Sequence, residues 1–352
     1  MKQLVSLTKR QESLFRLIQD GEKTTNQRLL EALRVDFAKI SRVTLIRDLN
    51  VLLRMKCVKR IGQGRGVRYE PKIPPFIKNI DPQEYFQHET DMRKIQKIRI
   101  DFTKKKSWFQ VFSEIEFQHL LELTQTFQNH MRFYSPKQIQ KEFERITIEF
   151  SWKSSRIEGN TYSLLDTEYL IKNQHESPHH SHEEAVMILN HKAALEYAWS
   201  HPKYFKKLTL KKIEELHSLI VKNLHIAAGI RKRPVGIVGT KYKPYDNYYQ
   251  VREELEELCN LINKLSNPFL KALAGIAGLS YIQAFEDGNK RTSRILGNAI
   301  LLAHNACPLS YRSINEVDYK KAVILFYEQH SLSFFKKLFM EQYEFAIKNY
   351  FL

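Results

Sequence analysis

Apolar positions recur at helical spacing from the start of the chain. Leu14, Phe15 and Ile18 follow Thr8 at i, i+1 and i+4 and predict a first amphipathic helix. Thr24 and Gln27 read as a capping box ahead of Leu29, Leu30 and Leu33, which predicts a second. Ser41 is placed to cap a third, whose buried stripe is Leu45, Ile46, Leu49, Leu52 and Leu53. The pattern then turns from helical to extended. Val58-Lys59-Arg60-Ile61 and Val67-Arg68-Tyr69 flank Gly62-Gln63-Gly64-Arg65-Gly66, a strand, a glycine turn and a strand. Pro71, Pro74 and Pro75 stop this run, and Asp81-Pro82 restarts a helix with a cap and an N1 proline. Helical periods continue to about residue 140, with Lys104, Lys105 and Lys106 as a solvated turn. Ser181 and Glu184 cap a later helix, residues 268–305 read as helix, short loop and helix, and Phe326, Phe334, Phe335 and Phe339 fit the core of C-terminal helices. The expected fold is mainly α, with a small β-hairpin near the start. It is divided into 1–72, a helical connector at 73–140, a larger helical domain at 141–330 and a C-terminal helix at 331–352.

Charge adds a partner to this picture. The chain of 352 residues has 56 Lys+Arg against 39 Asp+Glu, a net of +17. Residues 1–72 hold 17 Lys+Arg against 7 Asp+Glu, a net of +10, so one fifth of the chain carries more than half of the excess. A folded, basic end points to a polyanion. The longest apolar stretch, near Ile295 to Ala303, is broken by Gly297 and Asn298 and falls short of the ~20 residues that span a bilayer. The opening MKQLVSLTKRQ lacks the apolar region of a secretory signal, and Cys57, Cys259 and Cys307 are too few and too scattered for a disulfide framework. A cytoplasmic protein is expected.

The exposed face of the third helix shows Arg42, Thr44, Arg47 and Arg54. A helix fits the major groove, where Arg42, Thr44 and Arg47 can reach base edges or phosphates. Lys59, Arg60, Arg65 and Arg68 on the hairpin suit the sugar–phosphate backbone, adding affinity but little sequence choice. The stretch SRVTLIRDLNVLLRMKCVKRIGQGRGVRY resembles the DeoR-like winged-helix regulators over nearly all of its length. That resemblance implies a winged helix-turn-helix at 1–72 with duplex DNA as its partner, and a homodimer if it reads paired half-sites. The alternative is a winged helix that only binds proteins or dimerises.

A second chemistry lies in QAFEDGNKRTSR, residues 283–294. Asp287-Gly288-Asn289 ends a loop and opens a helix, whose free N–H groups favour an anion. Lys290, Arg291 and, one turn on, Arg294 add cationic donors, and Asp287 offers a carboxylate able to hold Mg²⁺ beside phosphates. These residues alone read as a polyphosphate cradle, most simply for a nucleotide.

The whole phrase resembles the Fic (Fido) signature H-x-F-x-[D/E]-G-N-[G/K]-R-x-x-R through Phe285, Asp287, Gly288, Asn289, Lys290, Arg291 and Arg294. Ser154-Ser155-Arg156-Ile157-Glu158-Gly159-Asn160 is similar to the family's inhibitory motif, placed before the core as in its class II members. Residues 229–245, GIRKRPVGIVGTKYKPY, resemble its flap, a β-hairpin centred on Ile237, Val238, Gly239 and Thr240 that docks the segment to be modified. The resemblance implies a helical Fic core over 141–330, with ATP and Mg as cofactors. It implies AMP transfer from ATP to a Ser, Thr or Tyr hydroxyl of a protein partner or of the chain itself. Asp287 would then bind the metal, and Gly288, Asn289, Lys290, Arg291 and Arg294 the phosphates. Ser154, Glu158, Gly159 and Asn160 would form the restraint, in which Glu158 competes with phosphate for the guanidinium of Arg294.

One position departs from the signature. Gln283 stands where the family has its catalytic histidine. Glutamine accepts no proton at neutral pH, although it can orient a hydroxyl by hydrogen bond. Loss of a general base lowers a rate by about 10²- to 10⁴-fold, roughly 3 to 5.5 kcal/mol of barrier. His217 shares an apolar stripe with Ile213, Leu216 and Ile220 and is expected to be a packed histidine rather than a substitute base. The sequence thus frames a DNA-binding regulator with a weakened nucleotide site, against an active adenylyltransferase or an AMP-removing enzyme that uses Glu158.

Overall fold

The computed structural model describes residues 8–19, 24–37, 39–54, 58–71, 75–96, 98–103, 108 and 111–351. It separates into two compact units, Met1–Pro74 and Pro75–Leu352.

In the first unit, α1 (Lys9–Gln19), α2 (Asn26–Asp36) and α3 (Arg42–Arg54) precede an antiparallel pair, β1 (Val58–Ile61) and β2 (Arg68–Pro71). Its core joins Leu14, Ile18, Leu29, Leu33, Leu45, Leu49, Leu52, Val58 and Tyr69, so both predicted periodicities converge on one interior. Ser41 Oγ accepts from the Thr44 amide at 3.2 Å and starts α3 as expected. The expected Thr24/Gln27 capping box does not form. Thr25 is the N-cap and gives no side-chain bond, while the Thr24 carbonyl accepts from the Tyr69 amide at 3.0 Å. That backbone bond, with the Thr25–Arg68 bridge beside it, lays the start of α2 along the hairpin and removes Thr24 from helix capping. Asp48, buried on α3, is neutralised from α1 by Arg10 at 2.6 Å and accepts a hydrogen bond from Gln11 Nε2 at 3.0 Å.

The second unit is built of α4 (Pro82–Tyr85), α5 (Glu114–Phe133), α6 (Pro136–Ile157), α7 (Leu164–Asn173), α8 (His182–Ser200), α9 (Leu210–Ile220), α10 (Tyr248–Lys264), α11 (Pro268–Ile282), α12 (Asn289–Ala303), α13 (Glu316–Gln329) and α14 (Ser333–Tyr350). Capping boxes open α5 (Ser113/Glu116), α6 (Ser135/Gln138), α7 (Ser163/Asp166) and α8 (Ser181/Glu184). Each satisfies two donors that a helix start leaves free. The stretch expected as a helical connector is largely irregular between α4 and α5, and it does not stand apart. Phe76, Phe102 and Trp108 belong to the same core as α11 and α13, with Phe76 and Trp108 at 4.8 Å between ring centroids. Side chains of α14, Phe335, Phe339 and Tyr343 among them, close that core.

The hairpin α11–α12 is the centre of the unit. Glycines set its tightness: a Cβ on Gly297 would lie 2.5 Å from Ile276, so the α12 backbone approaches α11 more closely than any larger residue allows. Nearly every side chain of both helices is buried, and the loop between them is therefore held on a rigid frame.

Residues 229–245 do not form the expected β-hairpin: no strand pairing occurs there, and the chain is irregular, with bends at Gly229-Ile230 and Lys232-Arg233 and a turn at Val238-Gly239. Pro234 and Pro244 remove an amide donor from each arm of the would-be ladder. The carbonyls of Gly239 and Lys243 are instead bonded to Arg93 and Arg99.

Candidate functional site

α11 ends at Gln283, which takes the left-handed conformation (φ 53°), and α12 starts after Gly288, which does the same (φ 78°). The six-residue loop between the helices, Gln283 to Gly288, is braced from inside. Asn289 accepts from the Phe285 amide at 2.9 Å and donates to the Phe285 carbonyl at 2.8 Å, so one side chain folds the loop back on itself. His217 supports it from α9, its Nε2 3.0 Å from the Asp287 carbonyl and its ring stacked on Phe285 at 3.7 Å. Burial pushes the imidazole pKa down to about 4, which keeps it neutral and donating to that carbonyl. This is the packed histidine that its stripe predicted.

No side chain caps α12. Around its first turns the cations are arranged in sequence. Asp287, two-thirds exposed, accepts from the Gly288 amide at 2.6 Å and from Arg291 Nη2 at 2.8 Å. Arg291 is otherwise buried, and its Nη1 has no partner among the described residues. Arg294 is fully buried and fully engaged: Nε donates to Ser154 Oγ at 2.8 Å, Nη2 to the Ser154 carbonyl at 2.9 Å and Nη1 to Glu158 Oε1 at 2.9 Å. Lys290 Nζ lies 3.8 Å from the other oxygen of Glu158. Burial alone would raise the Glu158 pKa, but Arg294 and Lys290 outweigh it and hold the carboxyl below its ordinary value. Glu158 is the C-cap of α6, and Gly159 (φ 103°) turns the chain directly after it. Asn160 takes no part in this ion pair; its amide binds the Glu184 carbonyl at 2.9 Å and ties the turn to α8.

Gln283 is buried, and its Nε2 donates to the Ser280 carbonyl at 2.6 Å and to the Tyr327 hydroxyl at 3.3 Å. Its carbonyl accepts from Arg231 Nε at 2.6 Å. Arg231 also donates to the Arg233 carbonyl at 2.9 Å and to the Tyr245 carbonyl, so one buried guanidinium joins the ends of the flap segment to the loop. Neither Tyr327 nor Arg231 was singled out by the sequence, because their partners lie tens of residues away. A cleft of about 280 Å³ opens between Glu158, Ile237, Val238, Lys290, Tyr319 and Tyr327, so the flap tip, the acidic cap and α12 share one cavity. A roomier hollow of about 430 Å³ near Trp199 and Leu302 lies by the other end of α12 and holds none of these groups.

In the first unit, Arg42, Arg47 and Arg54 are exposed along α3. Thr44 is half-buried, with its hydroxyl 3.0 Å from that of Ser41. Arg60 is exposed, whereas Lys59 pairs with Glu70 at 2.9 Å and Arg68 lies 3.8 Å from the same carboxylate. The side chain of Arg65 lies outside the described residues.

Residues 207–301, which include the loop and the D-G-N-K-R-x-x-R start of α12, match the Fic/DOC family. The chain is 28% identical over 177 residues to the protein adenylyltransferase Fic of Nematostella vectensis, covering 48% of this chain and 40% of that one. It is 26% identical over 159 residues to the protein adenylyltransferase fic-1 of Caenorhabditis elegans, covering 44% and 31%. The chain thus spans less than half the length of these relatives. Among solved structures, C. elegans Fic-1 (residues 134–508) superposes with a TM-score of 0.57 at 21% identity, over 67% of this chain and 70% of that one. A Fic domain containing signaling protein from Bacteroides thetaiotaomicron gives 0.55 at 18%, over 67% and 95%. Both share the fold.

Proposed function

We propose that the second unit binds ATP and is a restrained protein adenylyltransferase, weakened by Gln283, joined to a winged-helix DNA-binding domain. The observation that carries this is the Glu158–Arg294 pair, in which a carboxylate that lines the cleft accepts from the one arm of the buried Arg294 guanidinium that Ser154 leaves free. That arm suits a phosphate oxygen as well as a carboxylate, so Glu158 competes with a nucleotide's terminal phosphate for Arg294. Gly159 and Asn160 fix the turn that presents Glu158, and Ser154 aligns the guanidinium.

The residues present fit a nucleotide. The buried, unpartnered Nη1 of Arg291 and the uncapped start of α12 are donors in want of an anion. Asp287 fits Mg²⁺ as a single exposed carboxylate with lone pairs to spare. Among the described residues no group of three acidic, histidine or cysteine side chains stands ready for a metal, so the ion would share its ligands with the phosphates. Bound there, Mg²⁺ would offset phosphate charge. Asn289 keeps the loop in shape, Lys290 and Arg291 hold the polyphosphate, and the flap residues Ile237, Val238, Gly239 and Thr240 receive the target. Gln283 cannot take the proton of the target hydroxyl, and its amide is already engaged by Ser280 and Tyr327. Slow turnover follows.

The first unit supports DNA binding through the exposed Arg42, Arg47 and Arg60, with Lys59 and Arg68 able to exchange Glu70 for phosphate. Incubation with Mg²⁺ and ATP labelled on the α-phosphate, read by intact mass, tests the transferase. Little or no added AMP is expected on the wild type, more on Glu158→Gly, and most when Gln283→His is added. Strong labelling of the wild type would refute both the restraint and the handicap, and no labelling of the double variant would refute the transferase.

A further inference from the structure

Residues 75–352 carry 39 Lys+Arg against 32 Asp+Glu, an excess of seven. The 24 residues 222–245, which reach the cleft through Ile237 and Val238, hold six cations and no acid. Two of the six are held internally: Arg231 is buried, and Lys241 donates to the Asp91 carbonyl at 2.7 Å. Lys232, Arg233 and Lys243 are exposed, and their side chains have no hydrogen bond or ion pair among the described residues. The residues between them are laid out for an extended partner. One side of 239–243 is closed, since Arg93 Nη2 donates to the Gly239 carbonyl at 2.5 Å and Arg99 Nη1 to the Lys243 carbonyl at 3.1 Å. Beyond the turn at Val238-Gly239, the backbone of 235–238 makes no hydrogen bond to the rest of the described protein, and Val238 at its tip is 98% exposed. An unpaired backbone with apolar side chains offers its amides and carbonyls to an extended peptide, and charge at its two ends selects among peptides.

We infer that the strip 232–243 selects extended target segments bearing Asp or Glu on both sides of the acceptor hydroxyl. This deepens the transferase assignment and rests on it for the word target. Three exposed cations acting together favour an acidic segment by about tenfold at low ionic strength, a preference that salt screens.

The test uses the full chain and fluorescence anisotropy with three labelled peptides. All share a central Thr and a neighbouring Ile, flanked by Asp/Glu, by Ser/Asn or by Lys/Arg. The acidic peptide is expected to bind about tenfold more tightly than the neutral one at low salt, and K232E/K243E is expected to cancel or reverse the order. Equal binding of the acidic and neutral peptides overturns the inference, as does a preference that survives K232E/K243E, which would place the binding on other basic residues. Duplex DNA that displaces the peptide, and itself loses affinity in K232E/K243E, would overturn it by making the strip a nucleic-acid contact. ATP calorimetry on the same variant separates the two claims. Unchanged ATP affinity with a lost peptide preference supports the strip, whereas a chain that binds acidic peptide but no nucleotide refutes the transferase.

Discussion

Replacing Glu158 by Gln removes one charge and little volume, and the geometry sets the size of the response. Arg294 is fully buried, and among the described residues Glu158 alone gives it a carboxylate, at 2.9 Å. The Ser154 hydroxyl and carbonyl remain to hold the guanidinium in place, so the variant loses one charged hydrogen bond rather than the whole site. Such a bond is worth about 1.5–3 kcal/mol. The same amount is then open to a phosphate oxygen, which turns the loss in the free protein into a gain in the complex. ATP affinity should rise by about 10- to 100-fold, since each 1.4 kcal/mol is tenfold. The thermal midpoint of the free variant should fall, by about 4–8 °C if the loss is about 2 kcal/mol. Calorimetry with ATP and with AMP, beside melting curves, reads both effects. AMP has no terminal phosphate to compete with Glu158 and should bind the two proteins alike. Equal ATP affinity in wild type and variant, or an equal gain for AMP, would refute the competition.

Four other outcomes are expected. Gly288→Ala forces a left-handed backbone and sets a Cβ 3.2 Å from Val221, so it should cost about 1–3 kcal/mol in a denaturant melt and weaken nucleotide binding with it. His217 has a folded pKa of about 4 against 6.5 unfolded, so the unfolded chain takes up a proton that the folded chain refuses. Its share of stability is complete above pH 6.5 and declines as pH falls toward 4, by about 2 kcal/mol at pH 5, and His217→Gln should flatten that part of the melting-temperature profile. Adding Gln283→His to Glu158→Gly should raise AMP transfer by about 10²- to 10⁴-fold, measured as label per unit time; an unchanged rate would mean that the handicap lies elsewhere. Arg47→Ala should reduce retention on duplex DNA and lower its salt dependence by about one counterion, which a salt titration of binding checks.

Local signals carried most of the fold. Ser41 and Ser181 cap helices where their spacing said they would, and the strand–turn–strand at 58–71 pairs in the expected direction. The candidate loop was legible because its chemistry is contiguous: Asp287 to Arg294 lie within two turns of one helix start. Glu158 was visible only through its resemblance to a family motif, since nothing in spacing brings it to Arg294 across 136 residues. What escaped the sequence was decided by tertiary packing. Thr24 looks like a cap until Tyr69 claims its carbonyl, and residues 229–245 look like a hairpin until Arg93 and Arg99 take the place of a partner strand. Tyr327 and Arg231, which engage Gln283 from either side, carry no signal of their own, being one tyrosine among 17 and one arginine in a basic run.

The buried Arg231 has a consequence for how such chains diversify. By joining the carbonyls of Gln283, Arg233 and Tyr245 it works as a clip at the base of a loop, so the ends of that loop stay together whatever happens at its apex. Closure entropy grows only with the logarithm of length, and doubling the loop adds about 0.6 kcal/mol. Residues inserted around Val235–Val238, where the backbone makes no bond to the rest of the described protein, would therefore be tolerated by the scaffold while changing what the apex touches. The apex can be rewritten there without redesigning the loop and helix start below it.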